Sequence, residues 1–290
     1  VINYKQISEL PEVFVRNLIK LYLLEDMPYG DKTAEGIFSV DDTCNAYIEA
    51  EGDLVLAGIN FLSYFFEEGT EFNILKFDGE FVQSGDRIAE ISGPTIEVLS
   101  KERTILNLIQ RLSGVATQAN KYAQIGNKYG VKILDTRKTT PGLRLLEKYA
   151  VQCGGAFNHR TNLSNGILIK DNHIEAAGGI KEALRLIKSK DYGLPIELEV
   201  EDFNQIKIAM AEGLDGFLLD NMTPEVAKQA VELIRSYPNG SDIFIEASGG
   251  ITYDTLEDYC QTGVNAISIG ALTHSVKAAN IHMEFESNNL

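Results

Sequence analysis

Residues 196–221, IELEVEDFNQIKIAMAEGLDGFLLDN, decide the fold. Two short runs, IELEVE and GFLLDN, flank a helix-like segment at Phe203–Glu212. Neighbouring residues of a strand point to opposite faces. Glu197, Glu199 and Glu201 therefore share one face, and Ile196, Leu198 and Val200 the other. The same rhythm continues outward through KILDT (132–136), GILIKD (166–171), IFIEAS (243–248) and AISIGA (266–271). Helix-like segments at Ile180–Ser189, Pro224–Arg235 and Tyr253–Thr262 lie between them. Such alternation implies a parallel sheet with helices packed outside it. An open doubly wound sheet is covered on both faces, so its strands should be apolar on both parities. Here one parity is apolar and the other turns polar near the strand ends, as in a barrel whose lumen carries a site. Six strands, with a candidate seventh near 150–158, predict an irregular barrel.

Upstream, the first hundred or so residues read as a mixed α/β unit. A helix is expected at about Pro11–Leu24, within an amphipathic N-terminal pattern that does not read as a signal peptide. A strand region, CNAYIEAEGDLVLAGI, follows, then a short helix near Phe61–Glu67 and the strand RIAEIS. A long helical stretch is expected over Thr95–Tyr129, with Ser113-Gly114 as a candidate break.

Charge narrows the class of ligand. The chain carries a formal −16, yet residues 101–170 hold 12 Lys and Arg against 3 Asp and Glu. An acidic exterior repels nucleic acid and membrane surfaces, so a cationic island points to a small polyanion. A solvated basic helix face is the bland alternative. No apolar run reaches the roughly 18 residues that span a bilayer. Cys44, Cys153 and Cys260 are scattered, as expected of reduced thiols in a cytoplasmic protein.

In β/α barrels the chemistry sits at the C-terminal ends of strands. Those ends supply Asp135, Arg137, Lys138 and Lys170, then Glu199, Glu201, Asp220, Glu246 and Ser248, and lastly Gly270. Arginine forks suit carboxylates, and lysine suits phosphate as a mobile point charge. Glu199 and Asp220 are the candidates for Mg²⁺, which takes one or two carboxylates alongside substrate phosphates. Ser248-Gly249-Gly250 and Gly270 let backbone N–H groups approach a phosphate.

The stretches LLEDMPYGDKT, KERTILNLIQRLSGVAT, LDTRKTTPGLRLLEKYAV, GGAFNHR, LIKDNH, ELEVE, LLDNM, EASGGI and GVNAISIGALTHS occur in an order that resembles the quinolinate phosphoribosyltransferase family. The resemblance covers nearly the whole chain. It implies a type II phosphoribosyltransferase: an N-terminal α/β sandwich, residues 1–112, and an open, irregular β/α barrel of about seven strands, residues 113–274, with 275–290 packing back on the sandwich. It implies transfer of phosphoribosyl from phosphoribosyl pyrophosphate to quinolinate with decarboxylation, in NAD biosynthesis, with Mg²⁺. Carried over by position, Arg137, His159 and Arg160 hold the quinolinate carboxylates. Lys138 and Lys170 contact quinolinate or the phosphates, and Glu199 and Asp220 bind ribose hydroxyls and the metal. Ser248, Gly249, Gly250 and Gly270 cradle the 5′-phosphate. The family is a homodimer in which Arg103 reaches the neighbouring site. Asn165 and Ala156 depart from the family pattern, at positions that are not proposed ligands. The competing readings are a molybdenum-transport-associated paralogue, a nicotinate phosphoribosyltransferase without decarboxylation, and a non-catalytic anion-binding protein.

Overall fold

The computed structural model describes residues 2–66 and 68–286. They form two compact units. One takes the N-terminal residues through Gln6, Lys121–Arg144 and Ala156–His274. The other takes Ile7–Asn120, Leu145–Gly155 and the chain from Ser275 onward.

The first unit is a parallel sheet of six strands. Their order is Lys132–Leu134, Ala266–Ser268, Phe244–Ser248, Gly216–Asp220, Ile196–Val200 and Ile167–Ile169. Beyond the first of these, Phe157 forms an isolated parallel bridge to Leu134, where the seventh strand was expected. This is the open, irregular β/α barrel. The parity argument holds in the packing. Leu198, Val200, Ile245 and Ile267 are fully buried. The opposite parity sets Glu246 level with Leu218 and Ala266, and Ser248 level with Asp220. Helices Phe203–Glu212 and Pro224–Arg235 match expectation to the residue and are capped by Asp202 and Thr223 side chains.

The N-terminus departs from the amphipathic-helix expectation. The helix starts only at Glu12, after Pro11, and runs to Asp26. Ile2 and Tyr4 instead join Leu134, Phe244 and Ala266 in one buried cluster. Gly216 makes room for this segment, since a Cβ there would sit 2.6 Å from Ile2 Cδ1.

The second unit holds an antiparallel sheet in the order Ile281–Phe285, Thr43–Ala50, Arg87–Pro94 and Glu71–Ile74. The part of 275–290 that lies beyond 286 falls outside the described residues. The helix Thr95–Tyr129 runs through the candidate break at Ser113-Gly114 without interruption. Both small residues serve packing. The Ser113 hydroxyl accepts from the Ala57 N–H at 3.0 Å. A Cβ on Gly114 would lie 2.3 Å from the Lys277 carbonyl oxygen. Gly114→Val should therefore destabilise the protein by about 1–3 kcal/mol, measured by denaturant unfolding.

The two compact units divide inside that helix, at Asn120/Lys121. Helix Arg144–Cys153 also belongs mostly to the second unit, because its Glu147 and Lys148 are fully buried there. Glu147 Oε1 accepts from Arg111 Nη2 at 2.6 Å. That part of the basic island is core, not a solvated face.

Candidate active site

Every proposed site residue except Arg103 lies in the barrel unit. Arg103 sits on the Thr95–Tyr129 helix, 63% exposed, with Glu102 at 3.6 Å.

The cationic half follows the Lys132–Leu134 strand and its Phe157 bridge. Asp135 is fully buried and accepts from Asn158 Nδ2 and from the His159 N–H, both at 2.8 Å. It thereby ties the loop bearing Arg137 to the turn bearing His159 and Arg160. Arg160 is 6% exposed and donates from Nη1 to the Gly166 carbonyl at 2.9 Å. Its pKa is lowered, first by burial and then by the neighbouring Arg137. Arg137 Nε is buried without a hydrogen-bond partner. Two neighbouring guanidinium groups that repel one another, one with an unused donor, have the chemistry to receive an anion.

His159 is placed differently from a simple ligand-facing cation. Its Nδ1 accepts from the Arg160 N–H at 2.7 Å. Nε2 faces Glu197 at 3.6 Å and Glu246 at 3.5 Å. Both glutamates are fully buried. Both ring nitrogens thus face protein groups: the Arg160 N–H on one side, Glu197 and Glu246 on the other.

The anionic half sits on adjacent strand ends. Lys170 Nζ pairs with Glu199 Oε2. Asp220 Oδ2 accepts from Asn221 Nδ2 at 2.7 Å. Burial raises the Asp220 pKa, Glu201 adds to the rise, and Lys170 and Lys138 oppose it. Asp220 therefore lies within the field of both predicted lysines. The Lys138 carbonyl accepts from Thr273 Oγ1 at 2.8 Å. Gly270 lies close beside it: a Cβ there would come within 2.9 Å of the His274 ring and 3.1 Å of Lys138 Cδ, so both side chains would have to shift. Ser248 Oγ accepts from Ser268 Oγ at 3.0 Å. Gly249 and Gly250 follow at φ +93° and +63°, a left-handed turn that favours glycine at both positions. His173 Nδ1 accepts from the Lys170 N–H at 3.0 Å.

The group that residue-by-residue reading left out of the site lies one layer deeper: Tyr4, Glu197 and Glu246 around His159. The signal was present, because the parity that places Glu199 also places Glu197 two residues further down the same face. One oxygen of Glu197 and both of Glu246 have no hydrogen-bond partner. His159, Glu197 and Glu246 stand close enough to surround a cation. The Tyr4 hydroxyl, however, already donates to Glu197 at 2.6 Å, and burial pushes the Glu246 pKa up to about 7, with His159 opposing and Glu197 adding to the rise. Those features describe a cluster completed by protons.

The consequence for stability has a definite sign. A carboxyl whose folded-state pKa lies above its unfolded value favours folding while protonated. That contribution is full below 4.5 and is lost as pH rises through about 7. Unfolding free energy should fall between pH 5 and 8 in the parent protein, and Glu246→Gln should flatten the decline, as read from urea titrations at both pH values.

A barrel with an arginine clamp on one side of its mouth, carboxylates on the other and glycine turns between is the framework of an enzyme that joins polyanionic substrates. Comparison with known proteins makes the assignment specific. The chain belongs to the quinolinate phosphoribosyl transferase family, matching its N-terminal domain over residues 31–113 and its C-terminal domain over residues 115–284. It is 42% identical over 279 residues to the probable nicotinate-nucleotide pyrophosphorylase (carboxylating) of Bacillus subtilis strain 168, covering 95% of this chain and 94% of that protein. Among solved structures, the nicotinate-nucleotide pyrophosphorylase of Francisella tularensis superposes with a TM-score of 0.92 at 36% identity, covering 98% of this chain and all of that one. NadC from Streptococcus pyogenes gives 0.90 at 35% identity, covering 96% and 98%.

Proposed function

We propose that the protein transfers the phosphoribosyl group of phosphoribosyl pyrophosphate to quinolinate with decarboxylation, giving nicotinate mononucleotide, pyrophosphate and CO₂ in NAD biosynthesis. The observation that carries this reading is the pair Arg137–Arg160, with the Arg137 Nε donor unused in a buried position. Two adjacent forks match a ligand bearing two neighbouring carboxylates. Family membership and the names of the relatives favour the decarboxylating reaction over the paralogue and nicotinate readings.

In the reaction the pyridine nitrogen attacks ribose C1, and the C1–O bond breaks with its electrons passing to pyrophosphate. Lys138 and Lys170 stabilise the negative charge that develops there. The pyridinium then draws in the electrons of the C2–carboxylate bond as CO₂ departs, and C2 takes up one proton. Asp220 and Glu199 orient the ribose hydroxyls. The turns at Ser248-Gly249-Gly250 and Gly270 receive the 5′-phosphate. Holding two anions side by side without cations would cost several kcal/mol at low effective dielectric, which is the physical demand for the basic cluster.

Mg²⁺ fits the donor set: Glu199 and Asp220 offer hard oxygens on adjacent strand ends, and burial disfavours the charged form of Asp220, a cost that a bound cation would offset. When bound, it supplies neutralisation of the leaving pyrophosphate. A homodimer in which the exposed Arg103 completes the neighbouring site, and a cytoplasmic location, belong to the same proposal. None of the described helices is long and apolar enough to cross a membrane.

One assay tests the reaction. The protein is incubated with phosphoribosyl pyrophosphate, Mg²⁺ and either quinolinate or nicotinate. The proposal requires CO₂ release and mononucleotide from quinolinate. Turnover of nicotinate alone, or binding without turnover, would overturn it.

A further inference from the structure

We propose that Tyr4 and Gln6, from the N-terminal segment inside the barrel, are positioning residues for the carboxylate clamp. This rests on reading Arg137 and Arg160 as the quinolinate site.

The fastenings of residues 158–160 carry the argument. Gln6 Oε1 accepts from the Asn158 N–H at 2.8 Å, and Gln6 Nε2 donates to the Asn158 carbonyl at 3.1 Å. The same amide donates to the Tyr4 carbonyl at 2.8 Å, so the segment is locked to itself as well as to the turn. The Tyr4 ring stacks on His159 with centroids 4.3 Å apart and planes 25° apart. Its hydroxyl donates to Glu197 Oε2 at 2.6 Å, next to the His159 Nε2 that faces the same oxygen. His159 in turn receives the Arg160 N–H on Nδ1. Tyr4 also packs beside the far end of Arg160. The guanidinium donates to the Gly166 carbonyl, and a Cβ on Gly166 would meet Tyr4 Cε1 at 2.9 Å, so the ring lies against the residue that receives the guanidinium.

A plain plug would need only shape and apolar surface, which Ile2 supplies in the cluster with Leu134, Phe244 and Ala266. The Gln6 carboxamide is instead a polar group directed at the turn that carries His159 and Arg160, and the Tyr4 hydroxyl is directed at Glu197, the carboxylate that His159 Nε2 faces. Buried polar groups of this kind specify a unique arrangement when fully satisfied.

Tyr4→Phe separates the two roles, because it keeps the ring and removes only the hydroxyl. In the full-length protein, Tyr4→Phe and Gln6→Ala are each expected to raise KM for quinolinate about three- to tenfold, the scale of one lost hydrogen bond. KM for phosphoribosyl pyrophosphate should stay within about twofold. The imidazole ¹⁵N signals of His159, assigned through His159→Gln, should shift in both variants. Unchanged quinolinate KM in Tyr4→Phe, with His159 signals in place, would overturn the proposal. So would equal changes in both KM values together with a lowered Tm, which mark a structural plug. If the parent protein turns over no quinolinate, the reading of the site fails, while the ¹⁵N signals still report whether Tyr4 and Gln6 hold His159.

Discussion

Arg137→Ala is expected to weaken quinolinate binding by about 2–4 kcal/mol, the usual cost of removing one partner from a desolvated charge pair. In an equilibrium constant that is on the order of 30- to 1000-fold. Arg137 is the cleaner of the two clamp positions for this test. Its Nε has no protein partner, so little fold is lost with it. Arg160 is buried and holds the Gly166 carbonyl, so its removal would mix loss of binding with loss of structure. The like charge of Arg137 also lowers the Arg160 pKa, and its deletion relieves that repulsion. The variant should thus combine weaker binding with equal or higher thermal stability, the signature of a residue kept for function at a cost to the fold. Calorimetry with quinolinate alone, paired with a thermal melt, reads both quantities. Unchanged affinity would remove the clamp from the account.

Much of this site was legible because strands alternate. Period-two parity in IELEVE and IFIEAS separates lumen from exterior without any knowledge of the strand order. Strand ends then gather Lys170, Glu199, Asp220 and Ser248 at one end of the barrel. What parity does not report is depth. Glu197 and Glu246 share the lumen face with the site residues but lie fully buried a layer below its mouth, where burial raises the Glu246 pKa. Nor does local pattern reveal that residues 2–6 enter the barrel. Ile2, Tyr4 and Gln6 precede Pro11 in a stretch whose polarity also suits a helix. Only the long-range partners, more than 150 residues away, fix their extended path. Ser113-Gly114 failed as a break for a similar reason. Helix propensity penalises glycine by about 1 kcal/mol, but close approach of the Lys277 backbone makes a side chain there worse. The same long-range packing groups 145–155 with the second compact unit, which local pattern does not report.

The second large effect is expected at Asp220. Asp220→Ala should lower kcat by about 10²- to 10³-fold at fixed Mg²⁺, the range seen when one preorganised electrostatic contact is deleted. Asp220 ends the Gly216–Asp220 strand, so its carboxylate is fixed by the sheet and by Asn221, not by a mobile loop. Lys170 and Lys138 on one side and Glu201 on the other set its field. Without the carboxylate the lysines remain, so phosphate and quinolinate binding should persist. The lost element is the anchor for the ribose hydroxyls and the hard oxygen proposed for the metal. Asp220→Asn sharpens the test, because it keeps shape and one carbonyl oxygen while removing charge. If charge is what matters, the asparagine variant should be as slow as the alanine one, with quinolinate affinity unchanged in both. If orientation of the ribose dominates, asparagine should recover a large part of the rate. Near-normal turnover in Asp220→Ala would exclude this residue from both tasks and move the burden to Glu199, whose oxygen is already engaged by Lys170.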